Sequence, residues 1–264
     1  MLNYKTTILA VSGVVAIALS LLHVIGTMPK DSKAGIPGYS SLATVTIQSV
    51  PNERFVRSDK ETTLGFVSRV SRTVQSTTFN CAPGDFHLSW AERLMWASIG
   101  SPNIFADGIL VRSRFDCGYC HQRAFLVKDL LHDAGIEAEV WGLNGHVVLR
   151  LDHAGQAYFV DPDLGPGPFA VNLDGGPMID VARVYANSSA ANVDALRLIY
   201  ADASDDAPYG GLEYAAHYQK QVFFYADALV GVLGAAGLLA LCASAFFVRS
   251  RYSIASTPRR QGLA

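Results

Sequence analysis

Two long apolar runs, one near each end of the chain, dominate the pattern of hydrophobic and polar positions. The first extends from Ile8 to Met28 and the second from Ala228 to Val248, and neither contains Asp, Glu, Lys or Arg. As a helix rising about 1.5 Å per residue, either run is long enough to cross a hydrocarbon layer of about 30 Å. We therefore predict a transmembrane anchor over residues 1–28 and a second transmembrane helix over residues 226–249.

A cleaved signal peptide is the alternative for the first run, because Lys5 precedes it as a positive n-region would. No clear small-x-small cleavage site follows, however, and the run is long for the apolar part of a signal peptide. An uncleaved anchor is therefore the expectation.

Between the two runs, apolar residues recur every three or four positions, which is the period of a helix with one buried face. Three such helices are predicted, over Leu64 to Val74, over Phe86 to Ile99 and over residues 117–134, where Gly135 marks the C-terminal stop. In the second of them the inward residues are expected to be Leu88, Ala91, Leu94 and Met95. Helical patterns also cover residues 190–200 and 212–225.

Strand patterns follow the central helix. The alternation predicts strands at Ile136 to Trp141, His146 to Leu151 and Ala157 to Val160, with Asn144-Gly145 and the residues around Asp152 to Gly155 as turns. Residues 42–50 and 179–185 are further strand candidates. A helix packed on an antiparallel sheet, flanked by two transmembrane helices, is an α+β architecture.

Charge distribution predicts the orientation of the spans. Residues 30–227 hold 16 Lys and Arg against all 23 Asp and Glu, whereas four basic residues follow the second span: Arg249, Arg251, Arg259 and Arg260. The positive-inside tendency places that end, residues 250–264, in the cytoplasm, and two spans return the N-terminus to the same side. The linker at 29–41 and the acidic domain at 42–225 are then extracytoplasmic. The two spans anchor them in the cell (inner) membrane. The domain lacks the basic stripe that nucleic-acid binding requires.

Of the four cysteines, Cys120 carries the strongest chemical signal. In the first turn of a helix a thiol faces unpaired backbone N–H groups and the positive end of the helix dipole, which favour the thiolate. Cys242 lies in the second span as a small apolar residue. A disulfide between Cys81 and Cys117, leaving Cys120 free, is one possible pairing, which spacing alone does not decide.

His146 and Asp161 are the candidate base and orienting acid for that thiol. If the hairpin turns through Asp152 to Gly155 and pairs Leu151 with Gln156, His146 lies directly opposite Asp161 on the same face of the sheet. The carboxylate can then hold the imidazole while its other nitrogen takes the thiol proton. A turn one residue longer or shorter would put the two side chains on opposite faces.

The segment from Gly118 to Gly165, GYCHQRAFLVKDLLHDAGIEAEVWGLNGHVVLRLDHAGQAYFVDPDLG, resembles the core of the transglutaminase-like superfamily of papain-fold cysteine enzymes. Its Gly-x-Cys opening a helix, Gly-Ile-x-Ala, strand-initial His and Asp-Pro correspond to the family pattern. The resemblance implies Cys120 as nucleophile, His146 as base and Asp161 as orienting acid, with no cofactor or metal. It further implies acyl transfer or hydrolysis at an amide or peptide bond of a protein, peptide or other envelope substrate, with exopolysaccharide-assembly partners in some members.

Three alternatives use the same residues differently. Cys117-Gly118-Tyr119-Cys120 is a Cys-x-x-Cys sequence and is locally similar to periplasmic disulfide isomerases, in which Cys117 would be the attacking thiol. A zinc site would use Cys117, Cys120, His121 and His146, but a second cysteine pair at ligand spacing is missing. A degenerate domain that only binds an envelope partner is the third alternative.

Overall fold

The structure is a computed structural model that describes residues 4–28, 47–78, 88–99, 105, 108–115, 117–173, 177–188, 192–201 and 206–255. The linker at 29–41, most of the strand candidate at 42–50, Cys81 and the last nine residues lie outside these ranges. The chain divides into two compact units, one of residues 29–86 and 102–220 and the other of residues 1–28, 87–101 and 221–264.

The first unit contains a five-stranded, wholly antiparallel sheet. The strands are β1 (Glu139–Leu143), β2 (His146–His153), β3 (Gln156–Val160), β4 (Phe169–Ala170) and β5 (Ala207–Pro208), arranged in the order β4-β3-β2-β1-β5. The helices around it are α2 (Thr63–Thr77), α4 (Cys120–His132), α5 (Val181–Val184) and α6 (Val193–Ile199), and short 3-10 turns occupy Ile47–Ser49, Asn52–Phe55 and Arg112–Arg114. The predicted α+β class is confirmed.

The sheet is buried on both faces because alternate residues of its central strands belong to different apolar clusters. Val147, Leu149 and Leu151 pack with α4 and α2, whereas Val148 packs with the segment that carries α5 and α6. Eight of the thirteen residues of α4 are buried, so the helix that opens with Cys120 lies within the core. The unit therefore holds the start of α4 firmly beside the sheet.

The β2–β3 hairpin differs from the prediction. The turn has only two residues, Ala154 and Gly155, with φ of 52° and 78°, and the register pairs His153 with Gln156 rather than Leu151 with Gln156. The turn is tighter than predicted because both of its residues adopt the left-handed region that such hairpin turns require. The observed register differs from the predicted one by two residues, so each side chain lies on the predicted face of the sheet.

Three further expectations were wrong. Residues 179–185 contain the helix α5 instead of a strand, because Oδ1 of Asp180 accepts a hydrogen bond from the backbone N–H of Arg183 at 3.3 Å and caps a helical turn. Residues 47–49 form a 3-10 turn instead of a strand. Leu94 faces outward, with 48% of its surface exposed, instead of inward.

The second unit contains α1 (Tyr4–Thr27), α3 (Trp90–Ile99) and most of α7 (Leu212–Ala255), whose first nine residues belong to the sheet unit. Helices α1 and α7 are long and apolar enough to cross a membrane. Where they meet, a Cβ added at Gly13 would lie 2.8 Å from the carbonyl oxygen of Gly237, so small residues allow close backbone approach. Nearby, His23 bonds Ser89 Oγ through Nδ1 at 2.8 Å and Asp227 Oδ1 through Nε2 at 2.9 Å.

Candidate active site

Cys120 lies in the first turn of the central helix, as the sequence predicted, and is the first residue of α4, which begins three residues later than expected. Oε1 of Gln122 accepts a hydrogen bond from the backbone N–H of Tyr119 at 2.7 Å and fixes the chain as it enters the helix. Gly118 is needed here for space, since a Cβ at that position would lie 2.5 Å from the ring of Phe115. Cys120 therefore lies at the positive end of the helix dipole, which favours negative charge on its thiol.

His146 opens β2, and Asp161 directly follows β3. With the observed register Asp161 falls beside Val148, two residues along from His146, so the pair is diagonal rather than directly opposite. Nε2 of His146 nevertheless donates to Oδ2 of Asp161 at 2.8 Å. The side chains meet because a two-residue slip preserves the face and an imidazole spans the diagonal.

Asp161 is completely buried and accepts hydrogen bonds from four donors within the described part of the chain. Besides His146, these are the backbone N–H groups of Asp163 and Leu164, at 3.0 and 2.9 Å from Oδ1, and the hydroxyl of Tyr185, at 2.8 Å from Oδ2. Burial by itself would raise the pKa of the carboxyl, but the charge and hydrogen bond of His146, with the Leu164 and Tyr185 donors, lower it. Asp161 is therefore ionised.

Tyr185 and Tyr200 extend this network into the core. Both side chains are almost fully buried, and their hydroxyl oxygens lie 2.8 Å apart, so Tyr200 reaches Asp161 through Tyr185. Burial and the nearby Asp161 charge raise the pKa of both phenols, which keeps them as neutral donors. Sequence reasoning missed these residues, because only the packing of α5 and α6 brings them to the end of β3.

The thiol of Cys120 is hydrogen-bonded by His146 and by the adjacent His121. Burial would raise the thiol pKa, but these two hydrogen bonds and the positive charge of His146 outweigh it and lower the pKa to about 7. Burial likewise disfavours the imidazolium of His146, yet the Asp161 charge and hydrogen bond, with Cys120, raise its pKa to about 11. At pH 7 about half of the Cys120 thiol is therefore ionised, beside a protonated His146.

His121 is partly buried and lies within a row of aromatic rings. Its ring centroid is 6.3 Å from that of Tyr119, with planes 14° apart, and 6.0 Å from that of Tyr209, with planes 33° apart. Tyr209 is brought here by β5, since its backbone N–H donates to the carbonyl of Val140 at 2.7 Å. In the sequence analysis His121 was a candidate only as a zinc ligand.

A buried ion pair ties the start of α4 to the loop that carries Asp161. Nη1 of Arg123 lies 2.5 Å from Oδ1 of Asp163, and Nη2 of Arg123 donates to the carbonyl of Thr78 at 3.0 Å. Only 4% of the Arg123 side chain and 13% of the Asp163 side chain are exposed. Because Arg123 is one helical turn after Cys120, this pair helps to fix the distance between the thiol and the His146–Asp161 pair.

The state of the cysteines bears on the alternatives. Cys117 is disulfide-bonded, whereas Cys120 and Cys242 are free thiols, so Cys117 and Cys120 are not joined to each other. The suggested partner of Cys117, Cys81, lies outside the described residues. Within the described ranges no three His, Cys, Asp or Glu side chains are grouped as a metal ion would need, and a disulfide-bonded Cys117 has no thiolate to offer zinc.

The arrangement has the parts that thiol-based acyl transfer needs. It provides a nucleophile with a lowered pKa, an imidazole hydrogen-bonded to it, and an ionised, buried carboxylate behind the imidazole. Cys120 lies at the positive end of the α4 dipole, which favours the negative charge of an oxyanion formed at a carbonyl attacked by this thiol.

Comparison of the chain with models of protein families, with curated proteins and with solved structures finds no match. Functional inference therefore comes from the residues and geometry of the site.

Proposed function

We propose that this chain is a membrane-anchored cysteine enzyme of the transglutaminase-like type, with a papain-like core, that transfers or hydrolyses the acyl group of an amide or peptide bond. Cys120 attacks the carbonyl carbon, the imidazolium of His146 protonates the leaving amine, and an acyl-thioester forms. Water or a second amine then resolves the thioester and releases Cys120. The substrate is a protein, peptide or other amide-bearing molecule of the cell envelope.

One observation carries this proposal: the continuous hydrogen-bonded series from the Cys120 thiol through His146 to Asp161. A buried structural cysteine has no need of a charged imidazole, and an ionised carboxylate in the core costs stability unless it is fully paired. A thiol pKa of about 7 in a partly exposed position is typical of a reactive cysteine.

The proposal includes an extracytoplasmic site with both chain ends in the cytoplasm. Its support is the pair of helices α1 and α7, which are long enough to span, and the basic residues Arg249 and Arg251 after the second apolar run. A reporter that is active only in the cytoplasm, fused after Arg260, should be active. A reporter active only outside the cytoplasm, fused at the same place, should be silent, and a signal from it would refute the orientation.

The catalytic proposal is tested by labelling the full chain, in detergent, with an iodoacetamide probe at about pH 7, where an ordinary thiol of pKa about 8.5 is mostly protonated. Cys120 and Cys242 are the free thiols among the described residues, so Cys120→Ser and Cys242→Ser are matched variants. We expect labelling to be lost in Cys120→Ser and retained in Cys242→Ser.

A turnover assay with casein as acyl donor and a fluorescent primary amine as acceptor then separates enzyme from binding protein. Amine incorporation or peptide release that disappears in Cys120→Ser supports the proposal. Strong labelling of Cys120 without turnover of casein or of activated esters would favour the partner-binding alternative. Reduction of a test disulfide that depends on Cys117 would favour disulfide exchange.

A further inference from the structure

A groove lined by arginines runs along α2 on the surface of the sheet unit. Its volume is about 360 Å³, and its polar lining comes from the turn before α2 and from α2 itself: Arg54, Ser68, Arg69, Arg72, Thr73 and Ser76. Among the described residues that line it there is no Asp or Glu. The groove therefore gathers three positive charges on one surface.

Arg69 is held in place by groups of the protein. Its Nη2 and Nε donate to the two carboxylate oxygens of Glu61 at 2.6 and 2.8 Å, and Nη2 also donates to the carbonyl of Val56 at 3.1 Å. Nη1 donates to the carbonyl of Arg54, which ties the turn to α2. Glu61 thus neutralises one of the three guanidinium groups and fixes one wall of the groove.

Arg54 and Arg72 are different, because nothing neutralises them. Both are exposed, and within the described ranges neither side chain forms an ion pair or a hydrogen bond. The surface of a solvated helix usually mixes the two signs of charge, yet α2 contains two arginines and no acidic residue. The domain as a whole is acidic, with 23 Asp and Glu against 16 Lys and Arg over residues 30–227. The groove is therefore a positive exception that attracts an anionic ligand.

The residues that α2 contributes form two parallel rows. Members of a row are four positions apart and lie above one another on the helix, and the rows are Gly65, Arg69 and Thr73, and Ser68, Arg72 and Ser76. From the first to the last of these residues the groove is about 16 Å long, the length of about five residues of an extended peptide. The hydroxyls of Thr73 and Ser76 donate to helix carbonyls at 2.8 and 3.2 Å, so the guanidinium groups are the main donors to a ligand.

We propose that this groove binds an acidic segment, rich in Asp or Glu, of the protein or peptide on which Cys120 acts. The inference rests on the proposed function, since it names a property of that substrate. Guanidinium groups bind carboxylates through two parallel hydrogen bonds and keep their charge at every physiological pH. The described lining has no aromatic or large apolar side chain on which a sugar ring or an acyl chain would pack, which favours a peptide over a polysaccharide or a lipid.

The C-terminal end of the groove adjoins the segments that support the catalytic residues. Gln75, next to Ser76, lies against the loop that carries the orienting acid, since a Cβ added at Gly165 would be 2.4 Å from the Gln75 amide. The carbonyl of Thr78 accepts a hydrogen bond from Nη2 of Arg123, in α4, at 3.0 Å. A peptide held along α2 is therefore bound on a helix that directly contacts the catalytic loop and the helix of the nucleophile.

The test measures peptide binding separately from turnover. Fluorescein-labelled hexaglutamate and hexaglutamine are titrated with the full-length chain in detergent, and fluorescence anisotropy reports the Kd. The chain carries Cys120→Ser, so that no reaction occurs during the measurement. Arg54→Gln and Arg72→Gln each remove one charge from an exposed, unpaired side chain, and Arg183→Gln, at an exposed arginine of α5, is the matched control.

We expect hexaglutamate to bind and hexaglutamine not to bind. Each of Arg54→Gln and Arg72→Gln should raise the Kd by about threefold and the double variant by about tenfold, as is usual for exposed charge pairs. Arg183→Gln should leave the Kd unchanged. An equal loss in Arg183→Gln, or equal binding of the two peptides, would overturn the site. Polygalacturonate or glycerol 3-phosphate that displaces hexaglutamate at a lower concentration of anionic groups would assign the groove to a polysaccharide or a lipid head group and overturn the peptide.

Casein, an acidic protein, tests whether the bound segment belongs to the substrate. With Cys120 intact, the double variant Arg54→Gln, Arg72→Gln should raise the KM for casein by about tenfold and change kcat much less, because these side chains bind a part of the substrate remote from the reacting bond. An unchanged KM would overturn the role of the groove in substrate binding.

Failure of the proposed function gives a different result. If no turnover of casein depends on Cys120 but hexaglutamate binding still depends on the two arginines, the acyl-transfer proposal is wrong and the groove is a peptide site without a catalytic role. If turnover depends on Cys120 and binding is indifferent to the arginines, the proposed function stands and the groove is not its substrate site.

Discussion

Nε2 of His146 donates to Oδ2 of Asp161 over 2.8 Å, and this hydrogen bond commits that nitrogen of the ring and leaves the other one for the Cys120 thiol. The bond joins the buried negative charge of Asp161 to the imidazole of His146, which exchanges a proton with the Cys120 thiol. It therefore makes the reactivity of the thiol depend on pH in a way that can be measured.

The first prediction concerns the alkylation rate of Cys120 as a function of pH. The thiolate fraction should rise through an apparent pKa of about 7, and the rate should then stay level until the imidazolium is lost near about 11. Iodoacetamide kinetics in a Cys242→Ser background measure this profile. A single rise near about 8.5, as in an unperturbed thiol, would contradict the thiolate and imidazolium pair.

The second prediction is that Asp161→Asn raises the thiol pKa and lowers turnover at pH 7, by at most the roughly 10⁴-fold that this change costs a Ser-His-Asp triad. Without the carboxylate, the His146 imidazolium loses its main support, so at pH 7 a larger share of Cys120 stays protonated. The pH profile of alkylation and the rate of ester turnover measure the two effects. Asp152→Asn, at an exposed position of β2, is the control and should leave both unchanged.

The third prediction concerns the phenol behind the acid. Tyr185→Phe removes the only side-chain hydroxyl that the described structure places on Asp161, and a hydrogen bond to a charged group is worth about 1.5–3 kcal/mol. We expect turnover to fall by at least about tenfold, because the hold of Asp161 on His146 is weakened. Tyr200→Phe, which touches Asp161 only through Tyr185, should have a smaller effect. Equal losses in the two variants would point to general damage to the core.

The fourth prediction addresses the buried ion pair. Arg123→Met leaves the Asp163 carboxylate buried without its cation, which should lower the free energy of unfolding by about 3–5 kcal/mol. Thermal unfolding of the detergent-solubilised chain measures this loss. Arg197→Met, which removes an exposed pair with Asp194, is the control and should cost less than about 1 kcal/mol. Combining Arg123→Met with Asp163→Leu should recover part of the loss, because no unpaired charge then remains in the core.

Local sequence rules were sufficient for the elements that carry the three candidate residues. The periodicity placed α2 and α4, Gly135 ended the central helix, and Asn144-Gly145 formed the turn between β1 and β2. The β2–β3 register was wrong, yet His146 and Asp161 still met, because a slip of two residues does not change the face of a strand. The contact between His146 and Asp161 was therefore predicted correctly only because the register was wrong by an even number of residues. No local signal in the sequence ensured that.

The rest of the site could not be read from local patterns, because it is made by contacts between distant segments. Tyr185 and Tyr200 reach the end of β3 from α5 and α6, and Arg123 finds its partner 40 residues along the chain. The strand prediction over residues 179–185 was wrong for a similar reason. The apolar run there is too short to show a clear period, and the cap at Asp180 stabilises a helical turn instead. The stacking of His121 likewise depends on where β5 delivers Tyr209.

The four donors to Asp161 come from three separate parts of the chain: the start of β2, the loop after β3 and the end of α5. In any conformation in which these parts have not met, Cys120 is an ordinary thiol, mostly protonated at neutral pH. The lowered pKa of the Cys120 thiol therefore requires that these separate parts of the chain are in contact, as they are in the folded domain. The rate at which Cys120 is alkylated at neutral pH is then a direct measure of how much of the protein has matured.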